Sequence, residues 1–213
     1  MNKEIEKKKQ NYLSKVYLLL ATSFIPTIIG VLIGVPALNN HPEILENMLC
    51  LLIGYVLISF ILIFLMSKFK DNHLGYVFLL TFTLLSGLSI SPIIEHYTKI
   101  QNGESIVMQT ALMTFILFVG MSFLSKFVKD SNKLGEFLFI GLIVIIISGT
   151  LLLFFHSTIL ILIYSSLSAI LFSAYIMYDT KKLTENINES PIIPILGLYR
   201  DYILTLLIYF LAF

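Results

Sequence analysis

Two carboxylates near the end of the chain carry most of its chemical potential. Asp179, in Tyr178-Asp179-Thr180, closes one long apolar run, and Asp201, in Tyr199-Arg200-Asp201, sits mid-way along the next. An aspartate inside a membrane span costs about 2.5 to 3.5 kcal/mol on insertion scales, so its presence points to function. Two carboxylates held close in a low dielectric do not both ionise easily, and one proton or one cation then occupies the space between them. A hard cation such as calcium needs several oxygens. The two carboxylates, the Tyr178, Thr180 and Tyr199 hydroxyls, backbone carbonyls and water would supply them. The expectation is a pH-sensitive cation site at Asp179 and Asp201, with proton and metal in competition, or a latch released when the shared proton is lost.

These acids meet only if their helices place them together. The polar connection Lys181 to Ser190 is short, which suits two antiparallel neighbours. With the last helix starting near Ile192, Asp201 lies roughly 15 Å into it at 1.5 Å per residue. Asp179 reaches that depth only if its own helix continues past it or the next starts later. Arg200 is the one arginine in the chain. Neighbours at i and i+1 do not share a helix face, so it is expected to turn to a different partner or snorkel away.

The surrounding chain is membrane scaffold. Of 213 residues, 57% are hydrophobic and 13% charged, and the mean hydropathy is +0.91, far beyond what a soluble domain tolerates. Nothing in the charge pattern suits nucleic acid. Seven apolar runs are each long enough to cross about 30 Å of hydrocarbon: Leu13 to Val35, Ile44 to Met66, Leu74 to Ile94, Ile106 to Phe123, Leu134 to Phe155, Ser157 to Tyr178, and Ile192 to Phe213. Residues 1–12 read as a cytoplasmic segment and 13–213 as one transmembrane domain. The first run is too long for a signal-peptide core and is expected to remain as a span. Lysines before the first run and after the second, fourth and sixth fall on one side of a seven-span topology, against Lys99 alone on the other. The N-terminus is therefore expected in the cytoplasm and the C-terminus outside.

Small and polar residues mark packing. Gly30 and Gly34 form a pair that admits a close neighbour, while Pro26 is expected to kink the first helix. Ser86, Gly87, Ser89, Ser91 and Pro92 suggest a distorted third helix lining a cavity. Ser165, Ala169 and Ser173, with Ser166 and Ala174 beside them, predict a tightly packed face on the sixth. Glu46 and Glu136 read as interfacial carboxylates that could turn inward to meet Arg200. Cys50 reads as a packing residue, and His41, His73, His96 and His156 as loop residues without metal-ligand spacing.

Paired aspartates on consecutive helices also raise catalysis. Intramembrane aspartyl proteases carry Tyr-Asp on one helix and Gly-x-Gly-Asp on the next, and Tyr178-Asp179 fits the first element. Gly197-Leu198-Tyr199-Arg200 before Asp201 lacks the second, and no Pro-Ala-Leu segment follows. An enzyme is not expected.

The chain resembles the transmembrane Bax inhibitor motif family, the Bax inhibitor-1-like membrane proteins. The resemblance rests on Lys15-Val16-Tyr17-Leu18-Leu19-Leu20-Ala21-Thr22-Ser23, Ile25-Pro26-Thr27-Ile28-Ile29-Gly30, Tyr175-Ile176-Met177-Tyr178-Asp179-Thr180, and Leu198-Tyr199 before Asp201. It implies an all-α fold of seven transmembrane helices, six surrounding a central C-terminal one, with Asp179 and Asp201 as the proton sensor of a calcium leak. No cofactor is expected beyond calcium as the bound or transported ion. The partners expected are the bilayer, protons and calcium. Some family members regulate cell death or a membrane protease, which gives the alternative of a non-transporting regulator. Departures are Asn186 to Pro191 in place of a Gly-Glu-Thr-Asn-like stretch, Leu204 in place of an asparagine, and Arg200, which could pin a carboxylate in a closed state. A bacterial inner membrane is the expected location.

Overall fold

The computed structural model describes residues 3–41, 43–46, 48–152, 158–185, 187 and 190–212, with side chains at all of these except 3, 5, 45–50, 52, 158 and 209–212. The Glu46 and Cys50 side chains, and His156, Asn186, Asn188 and Glu189, lie outside the described residues. The chain is all helical: α1 (Lys3–Asn40), the single turn α2 (Glu43–Glu46), α3 (Met48–Lys68), α4 (His73–Thr98), α5 (Gly103–Leu124), α6 (Ser131–Leu152), α7 (Thr158–Glu185) and α8 (Ile192–Ala212). A 3-10 turn, Ser125–Phe127, follows α5. Among the described residues no strand occurs.

Each of the seven long helices overlies one of the seven apolar runs. Five contain segments long and apolar enough to cross a membrane: Glu6–Asn40, His73–Thr98, Gly103–Phe127, Ser131–Leu152 and Ile159–Glu185. A helix is the fitting solution there, because hydrocarbon offers no partner to an unpaired backbone amide. Large apolar side chains such as Leu18, Phe60, Phe64, Phe137 and Ile170 face outward, while Ser23, Thr83, Ser86, Ser168 and Asp201 are buried. That inversion suits a chain solvated by lipid.

Two compact units account for the contacts. The first comprises residues 1–104 and 187–196. Its main packing is α1 on α4, with α3 also on α4. A Cβ on Gly30 would collide with the Leu84 carbonyl and the Leu88 amide, and one on Gly87 with the Thr27 carbonyl. The two backbones touch, as the small-residue spacing predicts. The distortion expected around Ser86 to Pro92 is absent. α4 runs through Pro92 to Thr98, and the hydroxyls of Ser86, Ser89 and Ser91 donate to Phe82, Ser86 and Leu88 carbonyls at 2.9, 2.8 and 2.6 Å. Those serines are there for close approach, and α1 likewise stays helical through Pro26 and Pro36.

The second unit comprises residues 105–186 and 197–213. Here α6 and α7 run antiparallel, with three α6 glycines receiving α7 side chains: Gly135 faces Tyr178, Gly141 faces Leu171 and Gly149 faces Tyr164. Leu138, Ile145 and Leu171 form the core of this pair. Asp130 caps α6 by accepting from the Asn132 and Lys133 amides at 3.0 and 3.2 Å. Of the predicted packed face on α7, Ser165 and Ser173 are buried and Ser166 is exposed.

The important departure lies at the end of α7. The apolar run stops at Tyr178, yet the helix continues to Glu185. Side-chain partners at the start of α6 carry it on: Lys182 donates to Asn132 at 2.9 Å and Ser131 donates to Glu185 at 2.7 Å. Leu183 is buried on the same turns. Asp179 is therefore an interior residue of a helix and not a boundary carboxylate.

Candidate functional site: an arginine-bridged aspartate pair

Four-residue spacing builds the site. Residues at i and i+4 stack on one helix face, so Tyr175 lies beneath Asp179 on α7 and Gly197 beneath Asp201 on α8. A Cβ on Gly197 would strike the Asp179 carboxylate, so the missing side chain makes the room that this carboxylate fills. The Asp201 side chain is 0% exposed and that of Asp179 17%.

Arg200 joins them. Its Nε and Nη2 donate to Asp201 Oδ1 at 3.0 and 2.8 Å, and the same Nη2 reaches Asp179 Oδ2 at 3.4 Å. One nitrogen thus touches carboxylates from two helices, and their oxygens are no further apart than those two bonds laid end to end. The expectation that Arg200 turns elsewhere is corrected. Its long stem lets the guanidinium curl back over its own neighbour, which the i, i+1 rule for short side chains does not cover. The guanidinium also lies over the Tyr175 ring, 5.6 Å from Cζ to centroid, a cation–π arrangement that orients it. The Arg200 side chain remains 48% exposed.

Asp201 Oδ2 is buried and has no hydrogen-bond donor among the described residues. Asp201 Oδ1 and Asp179 Oδ2 share the Arg200 Nη2 as a common donor. Two negative charges and one guanidinium leave one net negative charge in a buried place, and a single proton cancels it.

The other candidates separate. Tyr178 packs against Gly135, lies under Lys182 at 5.9 Å, and with Tyr175, Asn132, Gly135, Glu136 and Phe139 lines a cavity of about 600 Å³. It faces α6, and Tyr175 takes the place expected for it beside the acids. Thr180 donates to Ser122 on α5 at 3.3 Å, tying two helices together and not supplying the pair. Tyr199 is buried within α8. Glu136 is exposed, and the carboxylates Arg200 reaches are Asp179 and Asp201. His41 pairs with Glu43 at 3.0 Å. Among the described residues no group of three histidine, cysteine or acidic side chains is placed to hold a metal ion. Tyr175 and Gly197 were missed in the sequence, although four-residue spacing from each aspartate marks both.

Known proteins resemble this chain in sequence over most of its length. The family model described as "Inhibitor of apoptosis-promoting Bax1" matches residues 9–213. The chain belongs to the Bax inhibitor-1-like family. Among its relatives in this family, a Campylobacter jejuni protein named only as uncharacterized is 33% identical over 207 residues, spanning 95% of this chain and 89% of that one. An uncharacterized membrane protein of Vibrio cholerae is 29% identical over 192 residues, 89% of this chain and 82% of its own. Protein lifeguard 4 of Mus musculus is 30% identical over 166 residues, 76% of this chain and 67% of its own. Together with the apolar helices, this makes the Bax inhibitor-1-like chain an integral membrane protein.

Proposed function

We propose that this protein is a pH-sensitive calcium leak channel or transporter whose state is set by Asp179 and Asp201. What carries the reading is one guanidinium nitrogen bridging carboxylates of α7 and α8, with a buried, undonated Asp201 oxygen beside them. Three cations compete for these oxygens: a proton, the built-in Arg200 and a divalent ion. Proton and calcium exclude one another, so calcium occupancy rises with pH. The charged and titratable groups around the pair are Arg200 and Tyr175, with Tyr178, Glu136 and Lys182 on the adjoining turns. Arg200 holds the resting, cation-free arrangement and must swing toward its exposed side for calcium to enter. The six-around-one arrangement implied by the family, a cytoplasmic N-terminus, an outer C-terminus and a bacterial inner membrane belong to the same proposal, supported by the lysine distribution.

Calcium flux into liposomes containing the purified chain, measured at acidic and neutral pH, tests it. Flux is expected to be greater at neutral pH, and Asp179→Asn and Asp201→Asn to flatten the difference. Identical pH profiles for all three proteins would sink the gating role. The family description favours a second reading, a non-transporting regulator that binds a cell-death partner, and the family resemblance adds a membrane protease as the alternative partner. Absence of calcium movement by the purified chain, with a protease complex co-purifying, would favour it.

A further inference from the structure

The cavity of about 600 Å³ between α6 and α7 has no part in the chemistry of the aspartate pair. Asn132, Gly135, Glu136 and Phe139 follow one another at steps of three and four and so form one stripe of α6, and Tyr175 and Tyr178 supply the α7 wall. Glu136 is the one charged residue of the lining. The cations near it are engaged elsewhere: Lys182 donates to Asn132 at 2.9 Å, Lys133 lies 3.9 Å from Asp130, and Arg200 is held by the two aspartates. Among the described residues, neither the Glu136 carboxylate nor the hydroxyls of Tyr175 and Tyr178 make a hydrogen bond or ion pair. Three polar groups of the lining are left to whatever fills it.

Its depth narrows the choice of occupant. The contacts of Lys182 with Asn132 and of Tyr178 with Gly135 set side by side the points where the two helices change character. α6 carries Ser131, Asn132, Lys133 and Glu136 before turning apolar at Phe137, and α7 is apolar up to Tyr178 and polar from Asp179. The boundary between hydrocarbon and headgroups therefore crosses the cavity, at the level where tyrosines with their apolar ring and polar tip collect. Phe137, Phe139 and Ile140 are exposed and continue the lipid-facing surface from its apolar end. The walls also differ in charge. Lys182 lies 5.9 Å from the Tyr178 ring and Arg200 5.6 Å from the Tyr175 ring, which brings positive charge to the tyrosine side, while Glu136 makes the α6 side negative. A simple ion satisfies half of this lining, and a zwitterion satisfies both halves.

We propose that this cavity binds the headgroup of a phospholipid that carries a primary ammonium, as phosphatidylethanolamine does. The ammonium donates to Glu136, the phosphate accepts from the Tyr175 and Tyr178 hydroxyls, and the acyl chains leave past Phe139 along the exposed face of α6. A quaternary ammonium has no N–H to give Glu136, and an anionic headgroup leaves that carboxylate unanswered. The site stands independently of the calcium reading.

The chain has no tryptophan, so Phe139→Trp, which keeps a ring in the lining, gives a fluorescence signal from the cavity alone. The full chain is reconstituted in phosphatidylglycerol bilayers, and phosphatidylethanolamine, phosphatidylcholine or phosphatidylglycerol with brominated chains is titrated in as the quencher. Phosphatidylethanolamine is expected to half-quench at about fivefold lower mole fraction than either of the others, the worth of one partly exposed ion pair. Adding Glu136→Gln, at an exposed position with no protein partner to lose, is expected to erase the difference. In Phe115→Trp, similarly exposed on α5, the three lipids are expected to quench alike. Identical curves for the three lipids in Phe139→Trp overturn the site, and identical curves for phosphatidylethanolamine and phosphatidylcholine overturn the primary ammonium. A preference that survives Glu136→Gln, or that appears equally in Phe115→Trp, also overturns it, because any lipid around the protein would give it. Reversal of the quenching by free phosphoethanolamine overturns the lipid as occupant in favour of a soluble molecule with the same headgroup chemistry.

Discussion

The α1–α4 seam and the α7–α8 site use the same device for opposite ends. In the seam, Gly30 and Gly87 omit a side chain and a neighbouring backbone fills the space, while the nearby hydroxyls of Ser23, Thr27, Ser86 and Ser91 bond to their own helices. At the site, Gly197 omits a side chain and a carboxylate fills the space. The first arrangement leaves little that can respond to the surroundings. The second brings together groups whose charges balance only with a proton or a cation added. A missing Cβ thus creates proximity alone, and the chemistry of the incoming group decides whether the result is a rivet or a cluster of charges.

Substitutions at the two places should separate these roles. Gly30→Leu, forced against the Leu84 carbonyl, is expected to lower stability by about 3 kcal/mol at every pH, seen as an equal fall in melting temperature in detergent at acidic and neutral pH. Arg200→Gln should cost less, about 2 kcal/mol at neutral pH, because the guanidinium is half exposed. Its cost should shrink in acid, where protonation relieves the two carboxylates left facing one another. A loss independent of pH would show that Arg200 only packs. The same variant should raise calcium flux at neutral pH by removing the internal competitor. Smallest is Thr180→Val, which breaks the bond to Ser122 and is expected to cost about 1 kcal/mol. It should leave the pH profile of flux unchanged, and a shifted profile would place Thr180 back beside the acids.

The seven long helices were legible in the sequence because each apolar run is bounded by lysines or turn residues, and Gly30 and Gly34 were legible as a contact because small-residue spacing has one common use in lipid. Asp179 and Asp201 stood out because carboxylates are rare at such places. Their juxtaposition was expected, but the condition for it was not legible. It depends on α7 outlasting its apolar run, which Lys182, Glu185 and their partners on α6 decide across a long stretch of sequence. Arg200 misled for a related reason: a rule about adjacent helix faces describes where side chains leave the backbone, and an arginine's stem is long enough to undo it. The serines of α4 suggested a distorted helix because a hydroxyl at a broken turn and a hydroxyl bonded to its own helix share one letter.

The glycine notches of α6 bear on how such a pair could part. Tyr164, Leu171 and Tyr178 each sit in a notch, at Gly149, Gly141 and Gly135, like three teeth of a rack engaged at once. Sliding α7 by one turn would lift all three teeth together, so the height of Asp179 is indexed to α6. Displacement that parts the acids therefore falls to α8, which meets Asp179 only at the bare Gly197 and the flexible Arg200 among the contacts described above.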